Sequence, residues 1–383
     1  MLGFVARPQA TSSSKVIVAY YADWTSGHLS PSAIPYDKIT HLNYAFALPH
    51  QDGSIELQTP ELLNQVVGLA HASNVRVLIS LGGWTGSRYF SSLVATDTSR
   101  TTLIQSILSL LSTHHLDGID VDWEYPGREG MVCNQVDRTK DTPNFLLFLT
   151  ELRKALASEM ELSLAVRVQP FDGMDPSGGG SGPLRDVSDF VPLLTRVNLM
   201  AYDINGIWSP TTGPNAPLHG PLSGESAVQA WTSAGFPHSK LTLATSDMSS
   251  GTITSSSHSP VTPQGDPEDA LWADPCPGAP SAFGGVWQWR LLRGTTGSGG
   301  GGTAPLAAGP TSPSEGWLRF EDEESGTPWL FRPSDKRFIS YDDPISLGKK
   351  VQWAKSQGLG GIMLWDLHQD NGELIQALQP ILQ

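Results

Sequence analysis

Eight short runs, β-branched or strongly apolar, separated by amphipathic stretches constrain the fold of this chain more than any other feature. The runs fall at residues 16–21, 39–47, 75–82, 117–124, 162–168, 197–202, 241–246 and 361–365. Their β-branched or continuous apolar character is that of strands buried on both faces of a parallel sheet. Between them the spacing predicts helices over 61–72, 99–111, 144–157 and 347–355, and a terminal helix over 374–382. Asp97 is the expected start of the second helix, and Asp141 precedes Pro143 and the third. Eight strands, each but the last followed by a helix or a long connection, predict an α/β protein with a (β/α)8 (TIM) barrel.

One interval breaks the rhythm. Residues 251–343 carry GGVWQW, the low-complexity GSGGGGTAPLAAGP and the strand-like TPWLF and FISYDD, but no clear βα unit. The expectation is a small β-rich (α+β) insertion after strand seven over 251–343, with a flexible Gly-rich loop at Gly297 to Gly302. Residues 15–250 and 344–383 then form the barrel. An insertion at that end builds walls around a barrel's active face.

Charge narrows the partners. With 24 Lys and Arg against 38 Asp and Glu, the chain of 383 residues has a formal charge of −14. It would repel phosphate backbones and anionic lipid, so neither nucleic acid nor membrane is an expected partner. A 39% apolar and 16% charged composition is far from that of a disordered chain. No run approaches the roughly 20 apolar residues of a membrane span, and the opening MLGFVARPQA is too short and polar for a secretion signal. Cys133 and Cys276 are the only cysteines, which excludes a four-cysteine zinc site. They either pair with each other or stand as two unrelated thiols.

The chemistry lies in DGIDVDWE, residues 117–124. Side chains alternate along a strand, so Gly118, Asp120, Asp122 and Glu124 share one face, and Ile119, Val121 and Trp123 the other. With the apolar set against the helices, three acids stack inward and Glu124 reaches the open C-terminal mouth. Like charge and desolvation return protons to such groups, which keeps an acid able to protonate a leaving oxygen near neutral pH. The competing readings are a solvated or base-paired strand and a Mg²⁺ or Ca²⁺ site. The strand holds no Lys or Arg, and no His-rich segment accompanies it. No metal and no cofactor are therefore expected.

The octet resembles the DxxDxDxE motif of glycoside hydrolase family 18, the chitinases and chitinase-like lectins. YYADW at Tyr20, LNYAFA at Leu42, SLGGW at Ser80, NLMAYD at Asn198 and GIMLWDLHQDN at Gly361 follow the family's order from about residue 15 to the end. FISYDDP and PCPG look most like secreted fungal chitinases with an insertion domain. The resemblance implies a substrate-assisted, retaining mechanism. Glu124 would be the general acid and then the base, Asp122 would orient the acetamido N–H, and Asp120 would share a proton with Asp122. Tyr202 would donate to the acetamido carbonyl, Asp203 and Gln169 would help hold the sugar, and Met200 would line the pocket. Trp365 would floor the reacting subsite, while Tyr21, Phe46 and Trp84 end strands one to three on the same rim. Trp208, Trp287 and Trp289 are open between rim and core, whereas Trp231 and Trp353 read as core. The implied partner is chitin or its oligosaccharides, bound by an extracellular monomer.

The likeness fails after strand seven. Active relatives carry an aromatic-Tyr-Gly-Arg segment there, whereas this chain has Met248 at the tyrosine's place and Ser250 at the arginine's. Two classes follow: a chitinase scaffold with impaired turnover, which the intact octet favours, and an inactive chitinase-like lectin that sequesters chitin fragments. Cys133 follows strand four and Cys276 lies in the expected insertion, so both belong to the C-terminal rim, where a bridge would pin the insertion against the cleft.

Overall fold

The apolar runs become parallel strands because each can bury one face inside a barrel and the other beneath helices. The computed structural model describes residues 15–174, 180–246, 248–253, 264–294 and 304–383. Its barrel strands are β1 (Val16–Ala22), β2 (His41–Pro49), β3 (Arg76–Gly82), β4 (Gly118–Asp122), β5 (Glu161–Arg167), β6 (Arg196–Met200), β7 (Leu241–Ser246) and β8 (Gly361–Trp365). Each pairs in parallel with the next, and β1 pairs with both β2 and β8, so the barrel closes. Alternation sorts the side chains into two sets. Ile17, Ala19 and Tyr21 join the large core under the helices, while Val18, Tyr20, Ala45, Ala244 and Met363 pack inside.

The outer helices are α1 (Pro60–Ala72), α2 (Asp97–Thr113), α3 (Asp141–Ala155), α4 (Gly224–Ser233), α5 (Pro344–Ser356) and α6 (Glu373–Leu378). Helix α2 starts at Asp97 as expected, capped by Thr96: its hydroxyl accepts from the Ser99 N–H at 3.1 Å, and Asp97 supplies negative charge to the first turn. The ten-residue α4 was not marked by the sequence pattern; Ser223 caps it, and Ala227, Val228 and Trp231 form its buried stripe.

Between β7 and β8 the described residues build a five-stranded antiparallel sheet. Its order is Val286–Gln288, Met248–Ile253, Arg337–Ser340, Thr327–Arg332, Leu318–Asp322. A separate hairpin pairs Leu271–Trp272 with Ala282–Phe283. The Gly-rich stretch expected to be flexible lies outside the described residues. Cys133 and Cys276 are joined in a disulfide, with Cα atoms 5.7 Å apart. It ties the loop after β4 to the segment between β7 and β8. Among the described residues no helix is long and apolar enough to cross a membrane.

Candidate active site

The acid strand β4 runs up the barrel wall with Asp120 and Asp122 buried. Asp120 is fully occupied by donors from four other strands. Tyr20 and Ser80 hydroxyls donate to Oδ2 at 2.6 and 3.0 Å, and the Ser163 hydroxyl and Asn198 amide to Oδ1 at 2.6 and 3.2 Å. Asp122 differs: its Oδ1 is buried with no hydrogen-bond partner. Burial first, then the charges of Glu124 and Asp120, pushes the Asp122 carboxyl well above the usual range. No hydrogen bond links Asp120 to Asp122 among the described residues, so the implied proton sharing has no direct contact here.

Glu124 lies two residues past the end of the strand. Its N–H donates to Ser87 Oγ at 2.8 Å, and its carbonyl accepts from Asn134 Nδ2 at 3.0 Å. Burial pushes its carboxyl up to about 7; a bond with the Tyr125 side chain opposes the shift and Asp203 adds to it. At the end of β6, burial and the charge of Asp122 raise the Tyr202 hydroxyl well above its usual value, which keeps it a donor. Asp203 is exposed at the mouth, where the surrounding protein pushes its carboxyl up to about 6 and the Asn215 side chain pulls it back.

These groups open into a cavity of about 830 Å³ that Phe46, Trp84, Met200 and Trp365 also line. Two glycines shape the floor. Gly82 and Gly83 take φ of 112° and 75°, and a Cβ on Gly83 would lie 2.7 Å from the Phe46 ring. Only glycine permits both the left-handed turn and that approach, and Trp84 follows at the rim. Phe46 stacks on Trp365 with centroids 5.7 Å apart, and Trp24 stacks on Phe46 at 6.1 Å.

Two expected substrate-binding residues lie elsewhere. Tyr21 is fully buried on the outward face of β1 and its hydroxyl donates to the Leu29 carbonyl at 2.8 Å. Strand alternation gives the inward place to its neighbour Tyr20. Gln169 is not among the cavity-lining residues; its Oε1 accepts from Arg167 Nη1 at 2.8 Å. Met248 and Ser250 are described by backbone pairing alone, opposite Gln288 and Val286, and the expectation that their side chains replace a tyrosine and an arginine of the pocket lies outside what is described. Trp231 is buried as core and Trp353 packs partly buried against the core; Trp287 and Trp289 are also buried, and Trp208 is exposed and does not line the cavity.

The sequence reading missed Trp24, Gln58, Tyr125, Trp272, Val286, Gln288, Asp366 and His368 in the lining. Trp24 had a signal, two residues past the end of β1 in YYADW. Trp272, Val286 and Gln288 had none, because the segment after β7 reaches the cleft by tertiary placement.

A barrel whose mouth joins a carboxyl raised by burial to a floor of aromatic rings has the parts for acid–base work on a flat, apolar-faced ligand. The sequence profile of glycosyl hydrolases family 18 matches residues 16–370, and the chain belongs to that family. It is 34% identical over 395 residues to a chitinase-like effector of Moniliophthora roreri, covering 96% of this chain and 92% of the relative. The counterpart in Moniliophthora perniciosa is 33% identical over 396 residues, covering 95% and 86%. A solved chitinase from Rhizomucor miehei superposes with a TM-score of 0.85 at 34% identity, covering 96% of this chain and all of the other. The fold is thus that of a family 18 chitinase or chitinase-like effector.

Proposed function

We propose that the cavity binds chitin-derived N-acetylglucosamine oligomers and hydrolyses their β-1,4 bonds slowly, with retention. The observation that carries this is the pairing of the raised Glu124 carboxyl with the buried, partnerless Asp122 Oδ1. A buried acceptor without a donor awaits one, and the acetamido N–H of the sugar is that donor. Glu124 gives its proton to the glycosidic oxygen as the C1–O bond breaks. The acetamido carbonyl oxygen, held by the Tyr202 hydroxyl, attacks C1 to form an oxazolinium ion. The Glu124 carboxylate then takes a proton from the water that opens the ring, restoring the acid.

The departures at Met248 and Ser250 support weak turnover, since a misplacement of about 1 Å can cost around 10²-fold in rate. The likeness to chitinase-like effectors supports a second reading, an inactive lectin that holds chitin fragments outside the cell. Both readings make the protein extracellular and monomeric, with glycan rather than nucleic acid or membrane as partner. Calorimetry beside timed hydrolysis of chitin hexamer tests the proposal. Chitooligomers should bind at least about tenfold better than glucose oligomers, about 1.4 kcal/mol, with turnover far below the enzyme median of about 10 s⁻¹. Equal affinity for glucose oligomers overturns the ligand assignment. Turnover of several per second makes the protein an ordinary chitinase, and none at all makes it the lectin.

A further inference from the structure

Part of the cavity wall comes from no barrel strand. Trp272, on the short hairpin after β7, lines the cavity and leaves 52% of its surface exposed. The floor aromatics stack on one another, whereas among the described residues no aromatic ring packs against Trp84 or Trp272. The hairpin holding Trp272 is well fastened. Asp269 accepts from the backbone N–H of Gly265 at 2.7 Å and of Gly285 at 2.9 Å, and Asp266 from that of Gln288 at 2.8 Å. Its tip is tied to the barrel twice more. Cys276 is bridged to Cys133, whose neighbour Asn134 bonds the Glu124 carbonyl. Asp274 Oδ1 accepts the Trp84 Nε1–H at 2.8 Å, so a carboxylate from outside the barrel sets the orientation of a tryptophan at the end of β3.

We propose that residues 271–276 build a distal subsite for the same oligomer, with Trp272 as its stacking platform and Asp274 as the positioning residue for Trp84. This rests on the proposed function and adds which part of the ligand is read: a pyranose ring beyond the reacting one. An open indole face suits the apolar C–H face of such a ring. Anchoring through the disulfide and Asp274 means that little ordering is left to be done on binding.

The test is calorimetry of the full chain with N-acetylglucosamine trimer and hexamer. Trp272→Ala should weaken hexamer binding about tenfold and trimer binding less than about twofold. Asp274→Ala should lose the same preference for the longer chain. Asp274→Asn, which keeps an acceptor oxygen, should restore it. Equal losses at both lengths, or none, overturn the subsite. An Asp274→Asn variant as poor as Asp274→Ala overturns the positioning role. If the unmodified chain binds neither oligomer, the proposed function falls and the subsite with it; if it binds both without discrimination by the variants, the subsite alone falls.

Discussion

At the N-terminal end of the barrel, Glu161 accepts from His41 Nε2 at 3.0 Å, pairs with Arg76 at 3.0 Å and is bridged by Arg196. At the C-terminal end, Asp122 and Glu124 face Asp203, and no arginine or lysine lines the cavity among the described residues. Burial acts on both ends alike and favours the protonated acid. At the floor, Arg196, His41 and Arg76 overturn it and hold the Glu161 carboxyl well below the usual range. At the mouth nothing overturns it, and Glu124 rises to about 7. The same residue type is thus a fixed charge where it serves the fold and a movable proton where it serves chemistry.

The largest break in that contrast is Glu124→Gln. It removes the movable proton while keeping the shape, and hydrolysis should fall by about 10²–10⁴-fold, the usual worth of a general acid. Oligomer binding should persist, so isotherms unchanged beside lost turnover are the expected pair. The pH behaviour follows from the same shift. In the folded chain Glu124 keeps its proton from its unfolded pKa of roughly 4.3 up to about 7, so its contribution favours folding at low pH and is lost as pH rises through that window. Glu161 runs the other way: its stabilisation is fully present above the unfolded pKa and is lost as pH falls towards the depressed folded one. Hydrolysis by the unmodified chain should decline above about pH 7, as Glu124 ionises. A melting temperature of Glu124→Gln that follows pH as steeply as the parent between about pH 4.3 and 7 would contradict the assignment.

Next in size is Arg196→Met. It strands Glu161 without its main counter-charge, and breaking such a buried pair costs about 3–5 kcal/mol. Urea unfolding should show a lower midpoint at unchanged slope. A midpoint equal to the parent's would mean that Arg76 and His41 suffice, and that the floor is less dependent on one cation than its geometry implies.

What was legible in the sequence divides along the same axis. The barrel was legible because all eight apolar runs announce strands buried on both faces, and the acid strand because three carboxylates at period two have few other uses. Asp120, Asp122 and Glu124 came from one local segment. Tyr21 was misplaced for a local reason: near a strand end, one step of alternation decides between rim and core. Helix α4 is short, and its cap Ser223 gives little signal by itself. Trp272, Val286 and Gln288 were invisible, since nothing local says which part of a 90-odd-residue connection folds back over the cleft.

The aromatic floor sharpens the comparison further. Trp365 contacts Phe46, Trp24 and Tyr20, so it is supported from below and open to the cavity. Trp365→Ala should weaken oligomer binding by about 1–3 kcal/mol, as for a buried aromatic anchor. The thermal midpoint should move far less than for Arg196→Met. An isotherm unchanged by the substitution would place Trp365 in the core instead.

The smallest expected effect, that of Tyr21→Phe, is measured against its neighbour Tyr20 on β1. Tyr20 points inward and donates to Asp120 at 2.6 Å, within the acid stack; Tyr21 points outward and donates to the Leu29 carbonyl at 2.8 Å. Neither substitution to phenylalanine empties space, so each reads one hydroxyl. Tyr21→Phe should cost about 0.5–1.5 kcal/mol of stability, the net worth of an ordinary hydrogen bond, and leave oligomer affinity and any turnover as they were. Tyr20→Phe removes a donor from a buried carboxylate, a bond of about 1.5–3 kcal/mol, and should alter the pH dependence of turnover because Asp120 lies beside Asp122. If Tyr21→Phe instead weakened binding while Tyr20→Phe did not, the inward and outward faces of β1 would be exchanged, and with them the face of the barrel that carries the acids.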